Sequence, residues 1–362
     1  MTDVGGRRYR KAMRAIIPPY LLARVASARE PHLARAAVAA RTTLAARPSD
    51  LAGRSQLRLS VEPGGTLVAE RIAAVERSVS DAQNREELPG ILVRREDDPP
   101  TGDRGADEAF DGLGATFSFF RDAFGRDSID GRGGVLAATV HYGEAYDNAF
   151  WNGERMVFGD GDGEVFTGFT GSLTVIAHEL AHGVTEFSGG LTYAGQSGAL
   201  NESLSDVFGA LTEQHLLGQN AEQASWLIGA GIFTDAVQGR ALRSLAAPGS
   251  AYDDDVLGRD PQPGHMRDYV DTTSDNGGVH INSGIPNRAF HLVATRLGGY
   301  AWERAGLIWY RTLTSRTLSP EADFVTFARA TVDTATDEYG EGSEEVAAVR
   351  AGWRGVGVWE DA

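Results

Sequence analysis

Two histidines, His178 and His182, bracket a glutamate in the run His178-Glu179-Leu180-Ala181-His182. On a helix, residues four apart share one face. Two imidazoles placed so can grip one Zn²⁺, and Glu179 beside them can act on a water held there, which is the chemistry of peptide-bond hydrolysis. The flanks are apolar: residues 173–177 precede the motif, and Leu180, Ala181 and Val184 lie within or after it. Buried in such a helix, His and Glu are costly without a ligand.

A hydrolytic zinc site takes three protein ligands and leaves one position open. One zinc-protease pattern has a third His six residues past the second, but Ser188 stands there, with Thr185 where that pattern has Gly. A carboxylate on a second helix is the next option. Glu202 lies twenty residues after His182, beyond a turn at Ser188-Gly189-Gly190, and Asp206 follows four residues later. Two acids on one face of an apolar helix need partners. Glu202 as third ligand and Asp206 against the second ring nitrogen of a ligand His satisfies both. Solvation of Asp206 at the helix surface is the other reading.

Four further runs complete the pattern: Gly198-Ala199-Leu200-Asn201-Glu202-Ser203-Leu204-Ser205-Asp206, Asp275-Asn276-Gly277-Gly278-Val279-His280, Asp147-Asn148-Ala149-Phe150-Trp151-Asn152 and Phe158-Gly159-Asp160-Gly161-Asp162. Together with the His-Glu motif they resemble the thermolysin-like neutral metalloproteases over residues 75–360. The resemblance implies an α+β fold with a β-rich lobe over 66–187, ending in the zinc helix, and a mainly helical lobe over 188–362. It implies one catalytic Zn²⁺ on His178, His182 and Glu202, with Glu179 as the proton-transferring base. His280 and Tyr193 would donate to the oxyanion, and Asp275 would orient His280. Asn148 and Ala149 would bind substrate backbone as an added strand, and Arg243 would contact a substrate carbonyl. Phe169, Val175, Ile228, Ile232 and Leu242 would line the pocket after the scissile bond, so that cleavage falls on the amino side of bulky residues such as Leu or Phe. Ordinary core packing is the other reading for any one of those five.

Two departures from the family stand out. The double calcium site beside the zinc helix needs an acid where Thr174 stands, and acids where Ser225, Leu227 and Ala230 stand; only Glu213 is present. Calcium takes six to eight oxygens, so that double site is expected to be absent. A single Ca²⁺ at a minor site such as Asp253-Asp254-Asp255 stays open, with a solvated loop preferred. The second departure is a short leader carrying Ile16-Ile17-Pro18-Pro19-Tyr20-Leu21-Leu22, which is similar to the short propeptides of the protealysin-like branch. Residues 1–60 are read as this propeptide, docked on the body with Pro18, Pro19 and Tyr20 near the zinc. Ile-Pro-Pro-Tyr is stiff and extended. Cleavage within residues 50–70 would then release activity. A plain N-terminal helical extension is the other reading.

Charge agrees with docking. Residues 1–60 hold 12 Lys and Arg against 3 Asp and Glu, whereas 61–362 hold 22 against 47. A basic leader on an acidic body can bind anionic polymers or its own body. The acidic body argues against nucleic acid as a substrate. There is no Cys, which excludes disulfides, thiol catalysis and Cys-ligated zinc. No apolar run has membrane length. A basic start interrupted by Pro18-Pro19 gives no recognisable signal peptide. Secretion is implied by the resemblance, with non-classical export or an intracellular location as alternatives. Expected partners are peptide and protein substrates and the propeptide, on a monomer.

The elements follow from periodicity and punctuation. One or two helices are expected over 20–47, a break near 50–66, and a loop over 94–107. A helix over 110–124 and strands at 136–142 and 156–158 come next. Helices are expected at 172–187, 199–217, 222–235, 283–297, 301–315, 320–338 and 343–352, with an irregular stretch over 246–279. His141 reads as structural. Two other functions compete with a zinc endopeptidase. A silent peptide-binding homologue would have lost Glu179 or His280, and both are present. An exopeptidase would need a group anchoring a substrate terminus, and none is identifiable.

Overall fold

The computed structural model describes residues 14–46, 75–315 and 317–359, together with two short strands at 60–61 and 67–68. Among the described residues, the leader begins at strand β1 (Arg14–Ala15) and continues into helices α1 (Pro19–Ala26) and α2 (Ala34–Ala45). Pro18 is extended and Pro19 occupies the first helical position, where a missing N–H removes no helix bond. α1 buries Leu21, Leu22 and Val25 against the body. Strand β2 (Ser60–Val61) pairs antiparallel with β3 (Leu67–Val68). The rest of the 50–66 boundary and of the 50–70 processing region lies outside the described residues.

A mixed sheet carries the first lobe. It is built from β4 (Arg77–Asp81), β5 (Ile91–Arg95), β6 (Leu136–Val140), β7 (Ala149–Trp151) and β8 (Met156–Phe158), with β1 added. The spatial order is β1-β7-β8-β6-β4-β5. β6 runs parallel to both β4 and β8, while β7 runs antiparallel to β8. The leader thus supplies the strand next to β7, with Arg14 opposite Trp151 and Ala15 opposite Phe150. Helix α3 (Arg104–Phe124) lies against β4 and β6. It begins inside the expected loop because the Asp103 side chain accepts a bond from Ala106 N at 2.8 Å.

Helices α4 (Leu173–Phe187) and α5 (Gly195–Leu217) form the centre of the molecule. They approach closely at Gly209, where an added Cβ would lie 2.8 Å from the Thr174 carbonyl oxygen. The helix expected over 222–235 does not form. Strand β9 (Leu227–Ile228) pairs there with β10 (Arg243–Ser244), and Gly229 and Gly231 take φ of 71° and 81°. Left-handed residues end a helix, so the apolar spacing of Trp226, Ile228 and Ile232 serves a looped wall instead. β11 (Asp253–Asp254) and β12 (Gly258–Arg259) make a small hairpin in which the Asp254 carboxylate accepts from Gln238, Val256 and Leu257 N–H groups. The chain closes with α6 (Asp275–Asn282), α7 (Gly284–Leu297), α8 (Leu307–Thr314), α9 (Phe324–Tyr339) and α10 (Glu344–Gly355). Their core includes Trp309 stacked on Trp353, ring centroids 5.9 Å apart. No described helix is long and apolar enough to cross a membrane. His141 follows β6 and is engaged by Asp160 at 2.9 Å and Asp103 at 3.2 Å.

Beside β7 lies a buried acid pair. Asp147 and Asp162 are 0% and 2% exposed, and neither Asp147 oxygen has a hydrogen-bond donor among the described residues. Burial, then the neighbouring Asp162, pushes the Asp147 carboxyl up to about 9. A raised acid is favoured in the fold only while protonated, so its contribution is present below the unfolded value and is lost as pH rises through about 9. Asp147→Asn removes that proton requirement and offers Asp162 an amide donor. The variant is expected to gain on the order of 1–3 kcal/mol at pH 8 and less at pH 5. Thermal midpoints across that range test it; an equal loss at every pH would refute it.

Candidate active site

His178, Glu179 and His182 on α4 and Glu202 on α5 are all fully buried. His178 Nε2 lies 3.4 Å from Glu202 Oε2, and His182 Nε2 lies 3.4 Å from Glu202 Oε1. Neither Nε2, nor Glu202 Oε2, has a hydrogen-bond partner among the described residues. Two ligand atoms about 2.1 Å from one tetrahedral ion stand about 3.4 Å apart. The three orphaned atoms therefore fit zinc, and residues His178, His182 and Glu202 would hold it.

The other ring nitrogens are fixed from behind. His178 Nδ1 donates to Asp206 at 2.8 Å, and His182 Nδ1 to Asn201 Oδ1 at 2.8 Å, with Ser205 Oγ at 3.0 Å. This turns both Nε2 lone pairs toward Glu202. Asp206 in turn accepts from Arg243 Nε and Nη2, each at 2.9 Å, and from Asn287 Nδ2 at 2.8 Å. Sequence reading missed Asn201, Ser205 and Asn287. The first two were detectable: they repeat, one residue earlier, the spacing of Glu202 and Asp206. Burial works to lower His178, but the Asp206 and Glu202 carboxylates outweigh it and hold it up at about 9. At His182 burial wins and the ring falls to about 4.

Glu179 Oε2 accepts from Trp151 N at 3.0 Å, while Oε1 is buried without a hydrogen-bond partner among the described residues. Burial raises this carboxyl to about 8, and a cation at the three ligands would draw it back down. Glu179 can thus take a proton through Oε1 and return it to a leaving amine. Zinc, when bound, supplies Lewis acidity and makes a water acidic near neutral pH. Tyr193 O–H donates to Glu202 and lies 3.3 Å from His280 Nε2. Burial, then Glu202, keeps Tyr193 protonated and a donor. His280 Nδ1 meets Asp275 Oδ1 at 2.6 Å, and the His280 N–H donates to Asp275 Oδ2 at 3.0 Å. A run of left-handed residues allows this return: Asp275, Asn276, Gly277 and Gly278 all have positive φ. A Cβ at Gly278 would come within 2.9 Å of Asn282 Nδ2.

The leader lies in this cleft. Ile16 N donates to Ala149 O at 3.1 Å, and Ile17 N to Asn148 Oδ1 at 2.9 Å. Asn148 Nδ2 donates back to Ile17 O at 3.2 Å, and Arg243 Nη1 to Ile16 O at 3.2 Å. Ala15 O lies 3.2 Å from His280 Nε2. Ile16 is fully buried in the main apolar core of the molecule, to which Phe169, Val175, Ile228, Ile232 and Leu242 also belong. Pro18, Pro19 and Tyr20, expected near the zinc, follow directly on the residues that touch the donors. Residues 15–17 meet the site, while Pro18 and Pro19 start α1 and Tyr20 packs beside Tyr252 and Asp260. Pro has no N–H, so it cannot donate to Ala149 O as Ile16 does.

Comparison with known proteins settles the family. Residues 68–186 match the thermolysin metallopeptidase catalytic domain, and residues 189–358 match the thermolysin metallopeptidase alpha-helical domain. The chain belongs to the thermolysin family. An extracellular metalloprotease of Pectobacterium carotovorum subsp. carotovorum is 56% identical over 282 residues, covering 78% of this chain and 81% of that protein. A thermolysin of Alicyclobacillus acidocaldarius subsp. acidocaldarius is 39% identical over 288 residues, covering 77% of this chain and 50% of that protein. The precursor of protealysin, a metalloproteinase from Serratia proteamaculans, superimposes with a TM-score of 0.86 at 48% identity, over 96% of this chain and 100% of that one. This thermolysin-family protein is a metalloprotease of the protealysin-like kind, with a β-rich and a helical lobe.

Proposed function

We propose that the chain is the zymogen of a zinc endopeptidase that cuts on the amino side of bulky apolar residues and is held shut by its own residues 1–60. The observation that carries this reading is the pairing of β1 with β7, which lays the Ala15–Ile16 peptide across the donors as a substrate would lie. Ile16, the residue after that peptide bond, is wholly buried within the apolar core, which supports the preference for a bulky residue after the cut. Both sides of that peptide are gripped, so products of a cut there would stay in place. Lasting activation therefore needs the leader to leave, which we assign to cleavage within 50–70. The name of the Pectobacterium relative supports secretion.

Ile16→Glu places a charge in an apolar pocket, which costs several kcal/mol unless it is paired. Freshly purified full-length protein with this change is expected to hydrolyse casein without a lag, whereas wild type shows one that ends as the N-terminus is lost. N-terminal sequencing along the time course reads both. A wild type active at once with residue 16 still attached would end the zymogen reading.

We also propose that the double calcium site is absent. Thr174 Oγ1 accepts from Gly229 N at 2.9 Å, and Glu213 accepts from Ser225 Oγ at 3.3 Å, so these oxygens already have protein donors. Added calcium is expected to leave the thermal midpoint within 2 °C or so, against the shift of about 4 °C or more that a tightly bound double site would give. A larger, saturable rise would refute it.

A further inference from the structure

Arg14 is the leader residue opposite Trp151, two positions before Ile16 and on the same face of the added strand. Its side chain is only 10% exposed, an unusual degree of burial for arginine. Nη1 donates to the His182 carbonyl oxygen at 3.3 Å and to Glu186 Oε2 at 3.3 Å. The guanidinium carbon lies 5.7 Å from the centre of the Tyr193 ring. A backbone carbonyl, a carboxylate and an aromatic ring therefore converge on one cation. The carbonyl and carboxylate belong to the C-terminal part of α4, where the helix dipole also favours positive charge.

We propose that this is a substrate subsite selecting a basic side chain at the second residue on the amino side of the scissile bond, with Glu186 as its specificity-determining residue. The inference rests on the substrate-like register of the leader. Any chain that pairs with β7 in that register directs the equivalent side chain to the same three groups, because side chains on a strand alternate strictly. Arginine suits the place better than a small apolar residue: its stem is covered while its head finds an acceptor, a counter-charge and a ring face. The subsite is separate from the buried position that Ile16 occupies, so the cleft reads two side chains of opposite character on one strand face.

The test uses full-length protein allowed to activate, with two internally quenched peptides differing only in Arg or Ala at that position and carrying Leu after the cut. Mass spectrometry of the products fixes the bond broken. The Arg peptide is expected to show roughly tenfold higher kcat/KM. That ratio should fall toward one in Glu186→Gln and, in the wild type, as salt is raised. Chelator-sensitive hydrolysis with equal kcat/KM for the two peptides overturns the subsite and leaves the endopeptidase reading intact. A ratio unchanged in Glu186→Gln, or unmoved by salt, overturns the role of Glu186. No chelator-sensitive hydrolysis of either peptide overturns the endopeptidase reading and this inference with it.

Discussion

Glu179→Gln is expected to lower casein hydrolysis by about 10³-fold while leaving one zinc per chain. Glu179 is not among the three residues whose orphaned atoms converge; those are His178, His182 and Glu202. Its Oε2 is tied to Trp151 N, and an amide oxygen would keep that bond, so the variant retains packing and the α4–β7 contact. What it loses is a carboxylate oxygen, Oε1, that can accept a proton inside the cleft. Two readouts separate loss of the base from loss of the metal: metal analysis of the purified protein and the rate on casein, with chelator-treated wild type as the zinc-free control. The same change should leave the leader uncleaved on prolonged incubation if processing is self-catalysed. Near-wild-type hydrolysis by the variant would remove Glu179 from the mechanism and reopen the reading of a silent or differently acting homologue.

The sequence was informative where spacing alone fixes geometry. His178 and His182 must share a helix face, and an acid pair at Glu202 and Asp206 on a second apolar helix has few uses other than facing them. The family resemblance extended that to Tyr193, Asp275 and His280. It was less informative where a role depends on a backbone group or on an exact depth of insertion. Trp151 contributes its N–H, which no side-chain pattern reports. In the leader, the stiff Pro18-Pro19 pair is plain in the sequence, whereas the donors to Ala149 and Asn148, Ile16 and Ile17, follow from which positions keep an N–H. Residues 222–235 carried helix-like apolar spacing, but Gly229 and Gly231 turn left-handed and shape a wall beside Leu242. Arg14 looked like one more charge in a basic leader. Only its burial against Glu186 and Tyr193 distinguishes it.

His280→Ala is expected to lower kcat by about 10²-fold to 10³-fold with little change in KM. His280 Nε2 lies 3.2 Å from the Ala15 carbonyl oxygen, with Tyr193 O–H 3.3 Å from the same nitrogen, and a donor so placed gains most as that oxygen becomes negative. The donor must be charged to work best. Burial opposes the charge, but Glu202 and Asp275 outweigh it and hold the ring above its ordinary value. Activity that depends on the protonated ring is therefore full at lower pH and declines as pH rises through that raised value. Asp275→Asn removes one of the two raising carboxylates, so the alkaline limb of the kcat profile should move to lower pH. Its loss at the pH optimum should be smaller than that of His280→Ala, because the donor itself remains. A profile of kcat against pH for the three proteins checks both claims. An alkaline limb that stays in place in Asp275→Asn would mean that some other group sets it, and that the Asp275–His280 bond serves only to hold the left-handed turn.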